Sequence, residues 1–386
     1  MDRAIDLLKR LISINSENPD RYETEIVEYI SSVLTKNDIK HRIIKSSDKR
    51  YNLLGELEGS GTGTLILNGH LDTKPAGEGW DTNPFKPVIK KDRLYGLGAS
   101  DMKGGIAAIL SAVLDIADGK ISPKNNLQFQ FVADEEMNSK FGTKFLVDKG
   151  YIKMKNRCFA VVAEPTEMKL ITKSLGNLWL TIKIYGIKTH AGVYWNGINA
   201  IQVGQDISEK LRRFAYSKRG SNSGGFSRFP NVNVGYIHGG SHPGSVPDYC
   251  ELALDFRTKD ENQRANFIKV VKSTLSKDSN KLGYKYKIEE FGGGGLPAWD
   301  IKQFQEREIL RYLMNIEKIY SRVTNRRIKK GSFFGGSDAG ILSSVAKIPT
   351  VILGPGSLKQ AHKPNEWTDM KSVIASSEIY KKMALG

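Results

Sequence analysis

Six residues able to bind a cation or move a proton fall where a strand ends or a helix begins. They are His70, Asp72, Asp101, Glu135, Glu136 and Glu164. The short apolar run at 64–67 leads straight into Asn68-Gly69-His70-Leu71-Asp72, and Asp101 opens a helical pattern. The apolar runs at 127–133 and 159–163 end at Asp134-Glu135-Glu136 and at Glu164. In open α/β sheets ligands bind outside the carboxyl ends of the strands. Carboxylates converging there repel one another unless a cation neutralises them. Imidazole with carboxylate suits zinc, and three or more carboxylates suit a two-metal site. Asp101 also sits where a helix dipole favours negative charge. Each residue alone has a plainer reading, a solvated turn or a core histidine. It is the set that points to metal chemistry.

The elements that must position these residues follow from periodicity. Residues 2–14 and 22–34 carry apolar side chains at helical spacing, and a further helix is expected over about 102–115. Alternation of these helices with the short strands predicts a mostly parallel sheet covered by helices. The pattern then changes. Strands are expected over 177–185, 231–238, 249–257 and 284–291, and helices over 199–214 and 262–275. That order, β-α-β-β-α-β, predicts a ferredoxin-like sheet with two helices on one face. The glycines at 292–295 look like a hinge back to the first domain. Helices near 304–322 and from about 338, and a strand near 349–353, complete it. The expected architecture is an α/β domain of residues 1–174 and 292–386, interrupted by an α+β lid over 175–291.

Composition bounds the function. The chain has 386 residues, 39% hydrophobic and 26% charged. These are ordinary globular values, which exclude a disordered chain, a collagen or a disulfide-rich miniprotein. The length favours two domains. Lys and Arg number 58 against 42 Asp and Glu, a net charge of +16. The lysines are spread along the chain without a nucleic-acid-binding motif, so no nucleic-acid partner is expected. A positive field would favour an anionic substrate. The longest apolar stretch, 106–114, is nine residues, and a spanning helix needs about 20. The N-terminal segment lacks a signal-peptide core. Cys158 and Cys250 make no redox or zinc motif. A cytoplasmic protein without a membrane partner is expected.

Longer strings carry a family resemblance. NGHLDT (68–73), GASDMKGG (98–105), DEE (134–136), AEPT (163–166), THAGVYWNGINAI (189–201), DFR (255–257), GGSDAG (335–340) and AHKPNEW (361–367) run in order along the chain. Together they resemble the M20 metallopeptidases, which include acetylornithine deacetylase and succinyl-diaminopimelate desuccinylase. The resemblance implies a phosphorylase/hydrolase-like catalytic domain with a lid. It implies two Zn2+ per chain, with Co2+ or Mn2+ as substitutes. Asp101 would bridge the ions, His70 and Glu164 would complete one site, and Glu136 and His362 the other. Asp72 would orient the His70 imidazole. Glu135 would act as general base on a metal-bridging water. His190 would stabilise the oxyanion, reaching across a homodimer formed through the lid. Arg257 would pair with a substrate carboxylate, with Gly336 and Ser337 adding donors.

The implied reaction is removal of the N-acyl group from an N-acyl amino acid. A carboxypeptidase or dipeptidase acting on a short peptide with a free carboxylate is the alternative. A catalytically inactive basic scaffold is a remote third reading, set against a complete set of ligand-type residues. Arg257 could instead pair with Asp255 or Asp260, and His190 could be a lid core residue. One departure stands out. Where many relatives have Asn, this chain reads Gly244-Ser245-Val246-Pro247, so the substrate pocket differs there or Ser241 or Ser245 takes that role.

Overall fold

The apolar run at 106–114 becomes the middle of helix Lys103–Asp118, which is buried without a break from Lys103 to Leu114. A helix apolar on all sides belongs inside a protein. This one packs against helices Arg3–Ile12 and Met370–Leu385. Arg3–Ile12 is amphipathic by contrast: Ile5, Leu8 and Ile12 are buried, and the Asp2 side chain caps it by accepting from the Ala4 amide. The computed structural model describes residues 2–153, 158–220 and 225–386. Among them no helix is long and apolar enough to cross a membrane.

The chain forms two compact units. The first comprises Met1–Lys173, Asp300–Phe333 and Ser337–Gly386. Its sheet runs in the order His41–Ser47, Arg50–Leu57, Asn126–Val132, Thr64–His70, Cys158–Val162, Thr350–Ile352, Leu170–Ser174. The central strands are parallel: Thr64–His70 pairs with Asn126–Val132 and Cys158–Val162, which pairs in turn with Thr350–Ile352. The flanking pairings are antiparallel. The carboxyl ends of the parallel strands therefore lie along one edge. Gly105 lets helix Lys103–Asp118 approach that edge, since a Cβ there would lie 2.3 Å from the Ala163 carbonyl oxygen.

The second unit comprises Ser174–Trp299 and Phe334–Gly336. Its antiparallel sheet runs Asn231–Gly239, Tyr249–Thr258, Gly176–Tyr185, Lys285–Glu290. Helices Ala200–Ser217 and Glu261–Leu282 join these strands in the β-α-β-β-α-β order. Alternate residues Leu178, Leu180, Ile182 and Ile184 build its core with Leu252, Leu254, Phe256 and Phe267. Phe256 and Phe267 stack at 3.6 Å.

Two expectations need adjusting. The glycine run 292–295 lies inside the second unit rather than at its end; the Trp179 amide donates to the Gly294 carbonyl at 2.9 Å, extending the edge of strand Gly176–Tyr185. The helix expected from 338 is only a short turn, Asp338–Gly340, followed by a wide turn, Ile341–Val345.

Candidate metal centre

Strand Thr64–His70 delivers His70 at its last position, and strand Cys158–Val162 ends two residues before Glu164. Strand Asn126–Val132 leads into a short turn, Glu135–Met137, flanked by Asp134 and Asn138 at φ of 64° and 71°. Asp and Asn are the residues other than glycine that best tolerate left-handed backbone, so both suit their places in this turn. Asp101 precedes helix Lys103–Asp118, and its peptide bond to Met102 is cis. His362 comes from the loop before strand Trp367–Asp369.

These residues form two clusters that share Asp101. In each, one nitrogen or oxygen from every residue lies within 4.8 Å of the others: His70, Asp101 and Glu164, and Asp101, Glu136 and His362. His70 Nε2 is 3.2 Å from Asp101 Oδ1 and 4.0 Å from Glu164 Oε2. His362 Nε2 is 3.3 Å from Asp101 Oδ2 and 2.9 Å from Glu136 Oε1. The carboxylates and His70 are buried, and His362 is half-exposed.

Charge balance indicates what this geometry can hold. Burial alone would discharge His70, but its hydrogen bond to Asp101 and the charges of Glu164 and Glu135 raise it well above the ordinary imidazole value. His362 is likewise held up to about 11, against burial, by Asp101 and Glu136. Burial favours a neutral Asp101, yet its bonds to the two histidines lower its carboxyl. Burial first, and then neighbouring carboxylates, raise Glu164 despite His70. The histidine shifts mark a nest of buried acids that draws positive charge. Divalent cations meet the same need with nitrogen and oxygen donors of suitable type, so the residues fit two such ions.

Glu135 belongs to neither cluster. Its Oε2 lies 4.0 Å from His70 Nε2. Burial, with the charges of Glu164, Glu136 and Asp338, raises its carboxyl well above the ordinary value even against His70. The expected contact between Asp72 and His70 takes a different form. His70 Nδ1 donates to the Asp72 backbone carbonyl at 2.9 Å, while the carboxylate Oδ1 is 3.7 Å away. The carboxylate instead accepts from the Glu135 amide at 3.1 Å and the Glu136 amide at 3.2 Å. Asp72 thus holds the turn carrying both glutamates, and a carbonyl fixes the proton on His70 Nδ1, leaving Nε2 to face the cluster.

Several supports were not singled out from sequence. Asn18 Nδ2 donates to Asp72 Oδ2 at 2.8 Å. The buried Arg50 guanidinium reaches Glu23 Oε1 and Asn18 Oδ1, each at 2.6 Å, and Asp134 Oδ1 at 3.2 Å. Lys74 Nζ bonds to the Glu136 carbonyl and lies 3.3 Å from its Oε2. Asp338 accepts from the Ser139 hydroxyl. Asp134 and Asp338 lie within the DEE and GGSDAG motifs; Arg50, Asn18 and Glu23 are polar residues in otherwise unmarked segments.

The remaining expected site residues divide between the units. Ser337 is in the first, its Oγ buried and without a hydrogen-bond partner among the described residues. His190, Arg257 and Gly336 are in the second. His190 is exposed and caps the turn Ala191–Asn196, its Nδ1 accepting from the Gly192 amide at 3.0 Å. It lies on a short ladder with Ser245, in the segment where Asn is missing. Arg257 pairs with Asp255 through Nε at 2.9 Å and Nη2 at 2.8 Å. At Gly336 a Cβ would meet Asn177 Oδ1 at 2.6 Å.

Known proteins share this chain's sequence and fold over nearly its whole length. Acetylornithine deacetylase of Photorhabdus laumondii is 29% identical over 98% of this chain and 96% of its own length. A tripeptidase structure from Staphylococcus aureus matches with a TM-score of 0.76 at 23% identity, covering 99% of this chain and 98% of its own. A Bacillus subtilis structure described as a dinuclear metal-binding M20 peptidase matches with a TM-score of 0.70 at 17% identity, over 99% and 97% of the two chains. The family model for peptidase family M20/M25/M40 matches residues 66–386. With a paired α/β and α+β architecture and a buried histidine–carboxylate cluster at the strand ends, the chain belongs to peptidase family M20/M25/M40 and is a metal-dependent hydrolase of amide bonds.

Proposed function

We propose that the protein hydrolyses the amide of an N-acyl amino acid, releasing a carboxylic acid and a free α-amine. The observation that carries this reading is the pair of clusters sharing Asp101, with the basic Glu135 carboxyl beside them and outside both. His70, Asp101 and Glu164 would hold one cation, and Asp101, Glu136 and His362 the other; zinc suits these ligands. Bound there, the metals supply Lewis-acid polarisation of the amide carbonyl and acidify the attacking water.

The chain's own residues do the rest. Glu135 takes the proton from the attacking water and delivers it to the departing amine nitrogen, so the C–N bond breaks without an unstable amide anion. Asp72 keeps that carboxylate in place through the Glu135 amide. His190 donates to the carbonyl oxygen as negative charge develops on it. Arg257 exchanges its pairing with Asp255 for the substrate carboxylate, which its planar fork can hold with two bonds. The second unit carries a homodimer contact through which His190 serves the neighbouring chain. The acetylornithine deacetylase relatives support an acetyl group on a basic amino acid as the first substrate to try. The net charge of +16 supports substrates with extra carboxylates, such as a succinyl group.

A hydrolysis panel on the zinc- or cobalt-loaded protein tests this reading. It contains N-acetyl-ornithine, N-succinyl-diaminopimelate, other N-acyl amino acids and several dipeptides, each with and without a chelator. Chelator-sensitive release of one acyl group is expected. Cleavage of dipeptides alone would replace the deacylase reading with a peptidase one.

A further inference from the structure

We infer that Glu366 is a positioning residue for the proposed cation site, tying the loop that carries His362 to the loop that carries Asp101. The inference rests on the metal reading above. Glu366 is 1% exposed. Its Oε1 accepts from the Ser100 amide at 2.7 Å and the Asp101 amide at 2.9 Å, and its Oε2 accepts from the Gly98 amide at 2.8 Å. Its own carbonyl accepts from the Gly96 amide at 3.0 Å. The next residue, Trp367, pairs with Tyr95 in a short antiparallel ladder. One side chain and its peptide thus gather four amides from residues 96–101, the segment that ends at Asp101.

The geometry requires two acceptor oxygens. Between them, the two oxygens of a carboxyl group can accept three converging N–H groups. Glutamine keeps the shape but turns an NH2 group toward the Gly98 or the Ser100 and Asp101 amides. Four residues upstream lies His362. Both His362 and Asn365 have left-handed backbone, with φ of 59° and 58°. Such residues persist where the surroundings hold them, and Glu366 is the downstream anchor of this loop. Two of the three residues in the Asp101–Glu136–His362 cluster therefore take their positions from one buried acid.

The test is calorimetric titration of Co2+ into the chelator-stripped full chain. The wild type is expected to take up two equivalents. Glu366→Gln should bind them about 10–100-fold more weakly, the usual effect of removing a group that orients metal ligands. Activity lost at limiting Co2+ should return as Co2+ is raised. Tyr380→Phe is the control: its buried hydroxyl donates to the Leu353 carbonyl at 2.6 Å, so it loses a core hydrogen bond while Co2+ affinity stays at the wild-type value. Unchanged affinity in Glu366→Gln, or an equal loss in Tyr380→Phe, would overturn the assignment. If the wild type takes up no Co2+, the metal reading fails and this role with it. If the wild type binds two and Glu366→Gln binds as tightly, only the role of Glu366 fails. Should Glu366→Gln not fold, hydrogen exchange on the metal-free wild type decides. Slow exchange of the Gly98, Ser100 and Asp101 amides supports the tie, and exchange at the rate of an open loop overturns it.

Discussion

His70 shows how one hydrogen bond fixes an imidazole. A backbone carbonyl can only accept, so the contact with the Asp72 carbonyl puts the proton on Nδ1 and turns Nε2 toward Asp101 and Glu164. Glu135 shows the complementary case, an acid inside the charged nest that completes neither cluster. If it is the general base, Glu135→Gln should lower kcat by about 10²–10⁴-fold while bound metal stays at the wild-type level. Loss of metal in step with activity would instead make it a ligand. Arg257 has a partner already in Asp255. Arg257→Ala should raise KM for substrates with a free carboxylate more than for the corresponding amides, and equal kcat/KM losses on both would remove it from that role.

At the scale of elements, the left-handed turn at Asp134 is held by a chain of buried polar contacts that starts at Glu23 and Arg50 and passes through Asn18 and Asp72. Arg50→Met leaves the buried Asp134 carboxylate without its cation and Glu23 without its donor. Breaking a buried pair in this way costs about 3–5 kcal/mol, readable as a lower urea midpoint. The pH dependence follows from Glu23. Burial first, and the charge of Asp72 second, push its carboxyl from 4.5 up to about 8 despite Arg50. The folded chain therefore holds this proton more tightly than the unfolded chain. The stability it contributes is full below the unfolded value and is lost as pH rises toward the folded one. Urea unfolding of the metal-free protein should show stability falling between about pH 5 and pH 8 through this group, and Glu23→Gln should make that fall shallower. The same slope in both proteins would refute the assignment.

The same scale explains what was legible in the sequence. Parallel strands buried on both faces leave continuous apolar runs, so the strands that end at His70, before Glu135 and before Glu164 stood out, each followed by its acid or histidine. The β-α-β-β-α-β order was readable because strands such as Tyr249–Thr258 alternate buried with half-exposed residues. Strand His41–Ser47 was not, since only Ile44 within it is buried. Helix Met370–Leu385 was missed because serines and lysines interrupt its apolar stripe. The supports of the site were hidden for another reason. Arg50, Glu23 and Glu366 act through contacts made only by folding, Arg50 with Glu23 across 27 residues and Glu366 with Asp101 across 265; no local pattern marks Arg50 or Glu23, and Glu366 lies in a motif that does not reveal its contacts.

At the scale of the whole molecule, the first unit carries both donor clusters, and the second carries His190 and Arg257. Subunit mixing tests whether the two cooperate between chains. Inactive Glu135→Ala and His190→Ala proteins should regain activity when their subunits exchange, and no recovery after proven exchange would confine His190 to its own chain. The net charge of +16 belongs to this scale too. If it steers anionic substrates, kcat/KM for a succinylated substrate should fall with added salt more steeply than for an acetylated one. The proposed mechanism requires Asp101 to be shared by two cations. It is tested most directly by counting bound zinc in the wild type, His362→Ala and Asp101→Ala after equilibrium dialysis. Two ions, one ion and none are expected in that order. A single ion in the wild type, or full occupancy without Asp101, would contradict it.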